Sequence, residues 1–333
     1  MATMADVARL ARVSTATVSH VLNGTRPVNA ITVEAVRDAI RRTGYTPNSV
    51  ARSLARASSR TIGVAVSAIT NHYFGDVVSA VEAACSGQNF MMFLSDTHDD
   101  PDHQFRVVQE LHQRRVDGLI LALTSDDGLV LDYLKRNKVA TVLIDRLASD
   151  RFDQVGVENV LSTMELTLHL VRHGHKRIGF ISGKPGLATS DERLEGFSRA
   201  LRQAGLAESR DLIECGDSTL EGGRQAAHRF LGKPRPPTAL VTGNNLMTIG
   251  ALRALREARL RVPQDLSLVG FDNFDWAEFA SPPLTVMAQP AAELGSVAID
   301  LLMRRLKDPS VPTTTIRLSP QLIVRASCGC DSA

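Results

Sequence analysis

Along the first part of the chain the apolar positions recur with helical spacing. Met4, Val7, Ala8, Leu10 and Ala11 set one stripe, and Thr3, three places before Asp6, has the spacing of a capping box, so a helix is expected over 4–11. After a break at Arg12-Val13, Ser14 stands as N-cap before Thr15-Ala16-Thr17-Val18-Ser19-His20-Val21-Leu22, and Asn23-Gly24 suits a left-handed stop. Two helices of about eight residues across so short a turn describe a helix-turn-helix unit. Val18, Val21 and Leu22 face a small core, which leaves Thr15, Ala16, Thr17, Ser19 and His20 on a small, uncharged, hydrogen-bonding face. A third helix, capped near Asn29 and turning Val33, Val36 and Ile40 inward, ends at Gly44, with Tyr45 and Pro47 marking its exit. The next stretch, 48–56, has a cap and good helix formers but is too short to persist alone in water. It is expected to form when paired with its twin from a second subunit on DNA, with Leu54 as an apolar wedge in the minor groove and Arg52 and Arg56 near phosphates. Free of DNA it reads as a flexible linker.

From Thr61 onward the period changes. Short β-rich runs (Ile62-Gly63-Val64-Ala65-Val66, Met91-Met92-Phe93-Leu94, Gly118-Leu119-Ile120-Leu121, Thr141-Val142-Leu143-Ile144) alternate with helical stretches, the first from about Phe74. The rhythm restarts at Ile178-Gly179-Phe180-Ile181 and continues at Ala239-Leu240-Val241 and Leu266-Ser267-Leu268-Val269. Such alternation means parallel sheets with helices on both faces, and its length implies two doubly wound units. In open parallel sheets ligands bind beyond the carboxyl ends of the strands. The residues found there are Asn71-His72-Tyr73-Phe74, Asp145-Arg146, Arg193, Asn244-Asn245 and Asp272. Singly, each has an ordinary structural use, since aromatics pack cores and Asp and Asn cap helices. Jointly, their aromatic faces, carboxylates, amides and guanidinium suit a hydroxyl-rich, ring-shaped or heterocyclic molecule held between two lobes.

Composition and charge sharpen this picture. The 333 residues, 44% of them apolar, allow two or three domains, and no apolar run approaches membrane-spanning length. The start lacks the basic-then-apolar pattern of a secretory signal, so the expected site of action is the cytosol. The four cysteines, Cys85, Cys215, Cys328 and Cys330, have no framework spacing and are expected to be reduced, with Cys328-Gly329-Cys330 in a disordered tail. The net charge of +2 conceals a division: residues 1–60 hold nine arginines and no lysine against Asp6, Glu34 and Asp38, a head at +6 on a body at −4. Small polar residues also solvate ordinary surface helices. Beside that charge they describe a helix entering the major groove.

These residues carry a family resemblance. Asp6-Val7-Ala8-Arg9-Leu10-Ala11, Val13-Ser14-Thr15-Ala16-Thr17-Val18-Ser19, Val21-Leu22-Asn23, Gly44-Tyr45-Thr46-Pro47-Asn48 and Ala51-Arg52-Ser53-Leu54 resemble the lactose-repressor/galactose-repressor (LacI/GalR) family. So, in the body, do Arg115-Val116-Asp117-Gly118-Leu119-Ile120, Gly174-His175-Lys176-Arg177-Ile178, Val262-Pro263-Gln264-Asp265-Leu266-Ser267, Gly270-Phe271-Asp272 and Pro283-Leu284-Thr285. The resemblance covers essentially the whole chain. It implies an all-α helix-turn-helix head plus an α/β, periplasmic-binding-protein-like body of two doubly wound parallel-sheet subdomains. The expected divisions are 1–46 for the head, 47–60 for the hinge and 61–333 for the body, whose first subdomain takes 61–158 and 289–319 and whose second takes 159–288 and 320–328. The implied protein is a homodimeric, ligand-responsive repressor of sugar or related catabolic genes on a palindromic double-stranded operator. By analogy its DNA-binding residues are Thr15, Ala16, Thr17, His20, Asn29, Arg52, Leu54 and Arg56. Its effector-binding residues are Tyr73, Phe74, Asp145, Arg193, Asn244 and Asp272.

Departures from the family pattern bear on the ligand. His20 stands where arginine is commoner, as in the purine-repressor branch. The pocket does not follow that branch: purine-binding relatives have an aromatic where Arg146 and Ser218 stand and an arginine where Leu187 stands, and Asn245 replaces the usual aspartate. A sugar or sugar-like effector is therefore expected. Other signals are set aside. The run from Gly179 to Pro185 is a residue short of a phosphate loop, with Pro where Ser or Thr must hold magnesium. His173-Gly174-His175 has no third ligand, and Asp99, Asp100 and Asp102 sit where a helix begins. No cofactor, metal or catalytic constellation is expected. A solute-binding protein of a transport system is the alternative, and the basic head argues against it.

Overall fold

The computed structural model describes residues 2–46, 58–125 and 128–329. The chain divides into two compact units, one up to Ser59 and one from Arg60, and each is described by itself.

The first unit is three helices, α1 (Met4–Ala11), α2 (Thr15–Asn23) and α3 (Ala30–Thr43). Thr3 and Asp6 close the expected capping box, with Thr3 N donating to Asp6 Oδ2 at 2.9 Å and Asp6 N to Thr3 Oγ1 at 3.3 Å. Ser14 and Asn29 cap α2 and α3, and Gly24 and Gly44 end them in the left-handed region. Val7, Ala8, Val18, Val36 and Ala39 form the buried centre, with Val21, Leu22 and Ile40 packed around it. Leu10 departs from the expected stripe and is 40% exposed. Met4, Val7, Ala8 and Ala11 form the face of α1 that meets the core, and Leu10 lies to one side of it. The proposed hinge over 48–56, with Arg52, Leu54 and Arg56, lies outside the described residues.

The second unit contains two sheets. Lobe 1 is built on β1 (Thr61–Val66), β2 (Met91–Asp96), β3 (Gly118–Ala122), β4 (Thr141–Asp145), β5 (Asp153–Val157) and β11 (Thr315–Leu318), in the order β11-β5-β4-β3-β1-β2, all parallel. The side chains sort by alternation. Ile62, Val64, Val66, Ile120, Val142 and Ile144 pack against α4 (His72–Gly87) and α11 (Ala291–Lys307). Ala65, Leu119, Leu121 and Leu143 pack on the other face, against α5 (Pro101–Gln113) and α6 (Gly128–Arg136). Burial on both faces is why β1, β3 and β4 read as continuous apolar runs.

Lobe 2 repeats the plan with β6 (Ile178–Ser182), β7 (Ile213–Cys215), β8 (Ala239–Thr242), β9 (Ser267–Phe271), β10 (Thr285–Ala288) and β12 (Gln321–Ile323), ordered β12-β10-β9-β8-β6-β7. Here α7 (Asn159–Arg172) and α8 (Ala188–Gln203) cover one face, and α9 (Leu220–Leu231) and α10 (Asn245–Glu257) the other. The sheet is not purely parallel, because β12 pairs antiparallel with β10. The chain crosses between lobes at Glu158, at Gln289-Pro290 and at Ser319-Pro320.

The carboxyl-terminal stretch corrects an expectation. Ala326–Cys328 form a helical turn in which Ser327 and Cys328 are buried, Thr285 N donates to Ser327 Oγ at 2.8 Å, and Ser267 Oγ donates to Cys328 O at 3.2 Å. The chain is thus packed through Cys328, where a disordered tail was expected. Cys85 and Cys215 are free, and Cys330 lies outside the described residues. Among the described residues no helix is long and apolar enough to cross a membrane.

The packing of α9 on α10 depends on bare backbone. A Cβ at Gly250 would lie 2.1 Å from Leu220 O and 2.6 Å from Arg224 N, so the two helices must part to admit a methyl group. Gly250→Ala is expected to lower the stability of the body by about 1–3 kcal/mol, read as a lower urea midpoint with an unchanged m value.

Candidate functional site

In the head, Thr15 and Ala16 are exposed at the start of α2. Thr17 is half-buried, and its backbone N–H and hydroxyl both bond to the Ser14 cap (3.0 and 2.9 Å), so it shapes the helix end as well as facing outward. His20 is fixed through Nδ1 to the Thr25 hydroxyl at 2.8 Å, which leaves Nε2 as the ring nitrogen for another partner. The Asn29 side-chain oxygen accepts from Thr32 N at 2.7 Å, capping α3. The exposed face is small and polar.

The second site lies between the lobes, at the carboxyl ends of the strands. Tyr73, Phe74, Asp145, Arg193, Asn244 and Asp272, expected from the sequence, all line a single cavity with about 70 Å³ of free volume. Asp145 ends β4 and Asp272 follows β9, and both hold left-handed backbone, at φ 67° and φ 77°. Left-handed non-glycine residues concentrate at sites whose surroundings impose them. Both carboxylates are buried, at 6% and 3% exposure.

Buried charge here is answered by close polar and charged partners. Arg193 donates from Nε to Asn159 Oδ1 (2.8 Å) and from Nη1 to Gly243 O (2.6 Å), with its guanidinium 3.7 Å above the Phe271 ring. Arg146 grips Asp99 with both terminal nitrogens (2.5 and 3.2 Å), reaches Ser67 Oγ (3.3 Å) and Leu123 O, and sets Nε 3.6 Å from Asp145 Oδ2. Asp272 accepts from Asn245 N (3.1 Å) and from Gln289 Nε2. Hydrogen bonds cross the cleft among the described residues: Asn245 Nδ2 donates to Asn71 Oδ1 at 2.8 Å, and Lys184 Nζ to Asp99 O at 3.1 Å.

Three buried side-chain polar atoms in this cavity have no hydrogen-bond partner within 3.5 Å: Gln289 Oε1, and Tyr73 Oη and Arg146 Nε, both of which interact with the Asp145 carboxylate, Arg146 Nε at 3.6 Å. Among the described residues the only other such atom is Thr163 Oγ1. A buried polar atom without a partner costs about 1–3 kcal/mol, so their collection in one place sets this cavity apart from the rest of the described residues. Burial also shifts titration. Asp145 holds its proton above the ordinary carboxylate range, chiefly because burial disfavours the anion; Arg146, Arg193 and the nearby Tyr73 hydroxyl oppose the shift and Asp272 adds to it. The Tyr73 hydroxyl is pushed well above its usual range by burial and by the same two carboxylates.

Not every expected residue plays the expected part. The Asn244 side chain caps α10, accepting from Met247 N (2.8 Å) and donating to Ser218 O (3.1 Å), so its contact with the cavity is partial. Asp99 does not cap a helix; Asp100 caps α5, through His103 N at 2.6 Å, and Asp99 belongs to the cleft. Sequence reasoning missed Lys184 and Gln289. Gln289 directly follows β10, so the strand-end rule finds it once β10 is recognised as a strand. The described residues contain no group of three or more His, Cys, Asp or Glu placed to hold a metal.

Residues 3–48 match the model of bacterial regulatory proteins, lacI family, and residues 167–328 that of a periplasmic binding protein-like domain. The chain is similar to the ribose operon repressor of Escherichia coli strain K12, 38% identical over 329 residues, 98% of this chain and 100% of that protein. It is similar also to the HTH-type transcriptional repressor PurR of Photobacterium profundum, 36% identical over 98% of each chain. Among solved structures it resembles the lac repressor dimer bound to operator and the anti-inducer ONPF, with a TM-score of 0.87 at 29% identity over 98% of this chain and 99% of that one.

The raised titration of Asp145 has a testable sign. Between the ordinary carboxylate value of 3.8 and its raised folded value, the folded state binds more protons than the unfolded chain, so this group's contribution to stability falls as pH rises through that window. Asp145→Asn keeps the shape and removes the buried charge. It is expected to raise the melting temperature of the ligand-free protein at neutral pH and to flatten that decline, as followed by calorimetry across the acidic range.

Proposed function

Because the chain belongs to the lacI family of bacterial regulatory proteins, DNA-binding regulators with an effector-binding body, we propose that its effector is a compact monosaccharide, with D-ribose the first to test, bound in the cleft between the lobes. The three orphaned atoms carry this reading. A sugar hydroxyl both donates and accepts, so one ligand class answers Gln289 Oε1, which needs a donor, Arg146 Nε, which needs an acceptor, and Tyr73 Oη. Asp145 and Asp272 accept from further hydroxyls, and Tyr73 and Phe74 offer aromatic faces to the ring. The free volume of about 70 Å³ is far below the roughly 300 Å³ of an ordinary small-molecule site, which favours a small ligand over a disaccharide or nucleoside. Arg146 and Ser218 stand where purine-binding relatives have an aromatic, and Leu187 where they have an arginine, which counts against a purine. The ribose operon repressor among the relatives points the same way.

The division of labour follows the chain. Thr15, Ala16, Thr17, His20 and Asn29 read and position the operator, Arg52, Leu54 and Arg56 engage it from the hinge, and the body from Arg60 onward senses the sugar in the cytoplasm. Two exposed apolar patches on the body support homodimerisation: Met91, Phe93 and Leu94 on the edge strand β2, and Trp276 and Phe279 in lobe 2. An effector that binds one arrangement of the lobes better than another shifts their equilibrium through the three crossovers, and operator affinity with it. The role is regulatory, with no catalytic step.

Fluorescence anisotropy with an operator duplex tests this. D-ribose is expected to change operator affinity in the wild-type protein. Asp272→Ala should keep operator binding while weakening ribose binding at least about thirtyfold, the cost of removing a buried charged partner. Leu54→Ala should do the reverse, weakening specific operator binding while leaving ribose affinity unchanged. Loss of both activities in either variant contradicts the separation of roles.

A further inference from the structure

Lobe 1 carries a second cavity, at the edge of its sheet opposite the cleft. Its free volume is about 600 Å³, within the roughly 300–1,000 Å³ range of small-molecule sites. It lies at the amino-terminal ends of β3, β4 and β5, beside the carboxyl ends of α5, α6 and α11. Val116, Leu134, Val139, Phe152 and Leu306 give it an apolar floor.

The charged groups around that floor are unequally committed. Asp153 is fully buried and accepts from Arg304 Nη2 (2.8 Å), Arg305 Nε (2.8 Å) and Thr314 N (2.9 Å). Arg151 is held by Asp132 at 2.7 Å. Lys135 and Lys138, both exposed, make no ion pair among the described residues; the Lys135 ammonium stands 6.0 Å from the Phe152 ring centroid. A helix end favours cations, which accounts for Lys135 in the last turn of α6. Lys138 lies beyond that helix, on left-handed backbone at φ 55°, and the dipole falls off within a turn.

We propose that this cavity is a second small-molecule site, distinct from the cleft, which takes an amphipathic organic anion: a ring-sized apolar body on the floor and a phosphate or carboxylate group held by Lys135 and Lys138. Asp117, also in its wall, accepts from Arg60 N at 3.0 Å and donates from its own backbone N–H to Thr61 O at 2.8 Å. Those bonds fasten the chain where it enters the body from the hinge. A ligand in this cavity therefore bears on the hinge attachment from a side that the sugar does not touch, and gives the regulator a second metabolic input.

Phenyl phosphate is the probe, with phenol and inorganic phosphate as its two halves, each titrated calorimetrically into the full-length protein. Phenyl phosphate is expected to saturate one site per chain, each half to bind at least about tenfold more weakly, and the Lys135→Gln/Lys138→Gln variant to lose about tenfold in affinity for phenyl phosphate. The melting curve of that variant should superimpose on the wild type's, since both side chains are exposed. No saturable binding by the wild-type protein, or an affinity unchanged in the double variant, overturns the proposal. Loss of phenyl phosphate binding in Asp145→Asn would place the anion in the cleft and overturn it as well.

Discussion

Asp145, Asp272, Arg146 and Arg193 are taken out of water where the two lobes meet, and the rest of the body is arranged to make that tolerable. Desolvating an ion costs several kcal/mol, repaid only when partners are close and well aligned. The partners come from far along the chain: Asp99 for Arg146, Asn159 and Gly243 for Arg193, Asn245 and Gln289 for Asp272. Two doubly wound sheets are needed to deliver these groups, because each strand end presents only one or two of them. The compensation stops short of complete, and the groups left over are the ones on which the proposed sugar effector rests.

How much of this was legible in the sequence follows from the range of the interactions. Caps and turns are local, so the head could be read almost residue by residue, from the Thr3–Asp6 box to the Gly24 and Gly44 stops. The buried central strands of both lobes were legible as apolar runs. Five strands were not. Asp153–Val157 opens on a carboxylate and contains a glycine, Ile213–Cys215 and Gln321–Ile323 are only three residues long, Thr315–Leu318 is largely exposed, and Thr285–Ala288 is a short run of four. Each is held by its sheet neighbours more than by its own pattern.

The cleft divides the same way. Its expected side chains do converge, because strand ends converge in any doubly wound fold. What the sequence could not show is pairing across 47 residues, as between Asp99 and Arg146, or across 85, as between Asp99 and Lys184. Nor could it show that Asn244 is largely spent on a helix cap. The family resemblance implied roles for the site residues; the structure supplies their partners. It also bears on mechanism, since the cross-cleft bonds of Asn71 with Asn245 and of Asp99 with Lys184 hold the lobes together around little free space. The three crossovers are the places where the chain can give when the lobes move, and Gln289 lies on one of them.

The central claim is that the cleft is built for hydroxyl groups. Calorimetric titration of the purified protein with D-ribose and with 2-deoxy-D-ribose tests it most directly, because the two differ by one hydroxyl and a site lined with buried polar groups rejects the ligand that leaves them unpaired. Saturation at one ribose per chain, with the deoxy sugar at least about a hundredfold weaker, is the predicted result. Equal affinity for the two sugars, or no binding of either, would contradict the account.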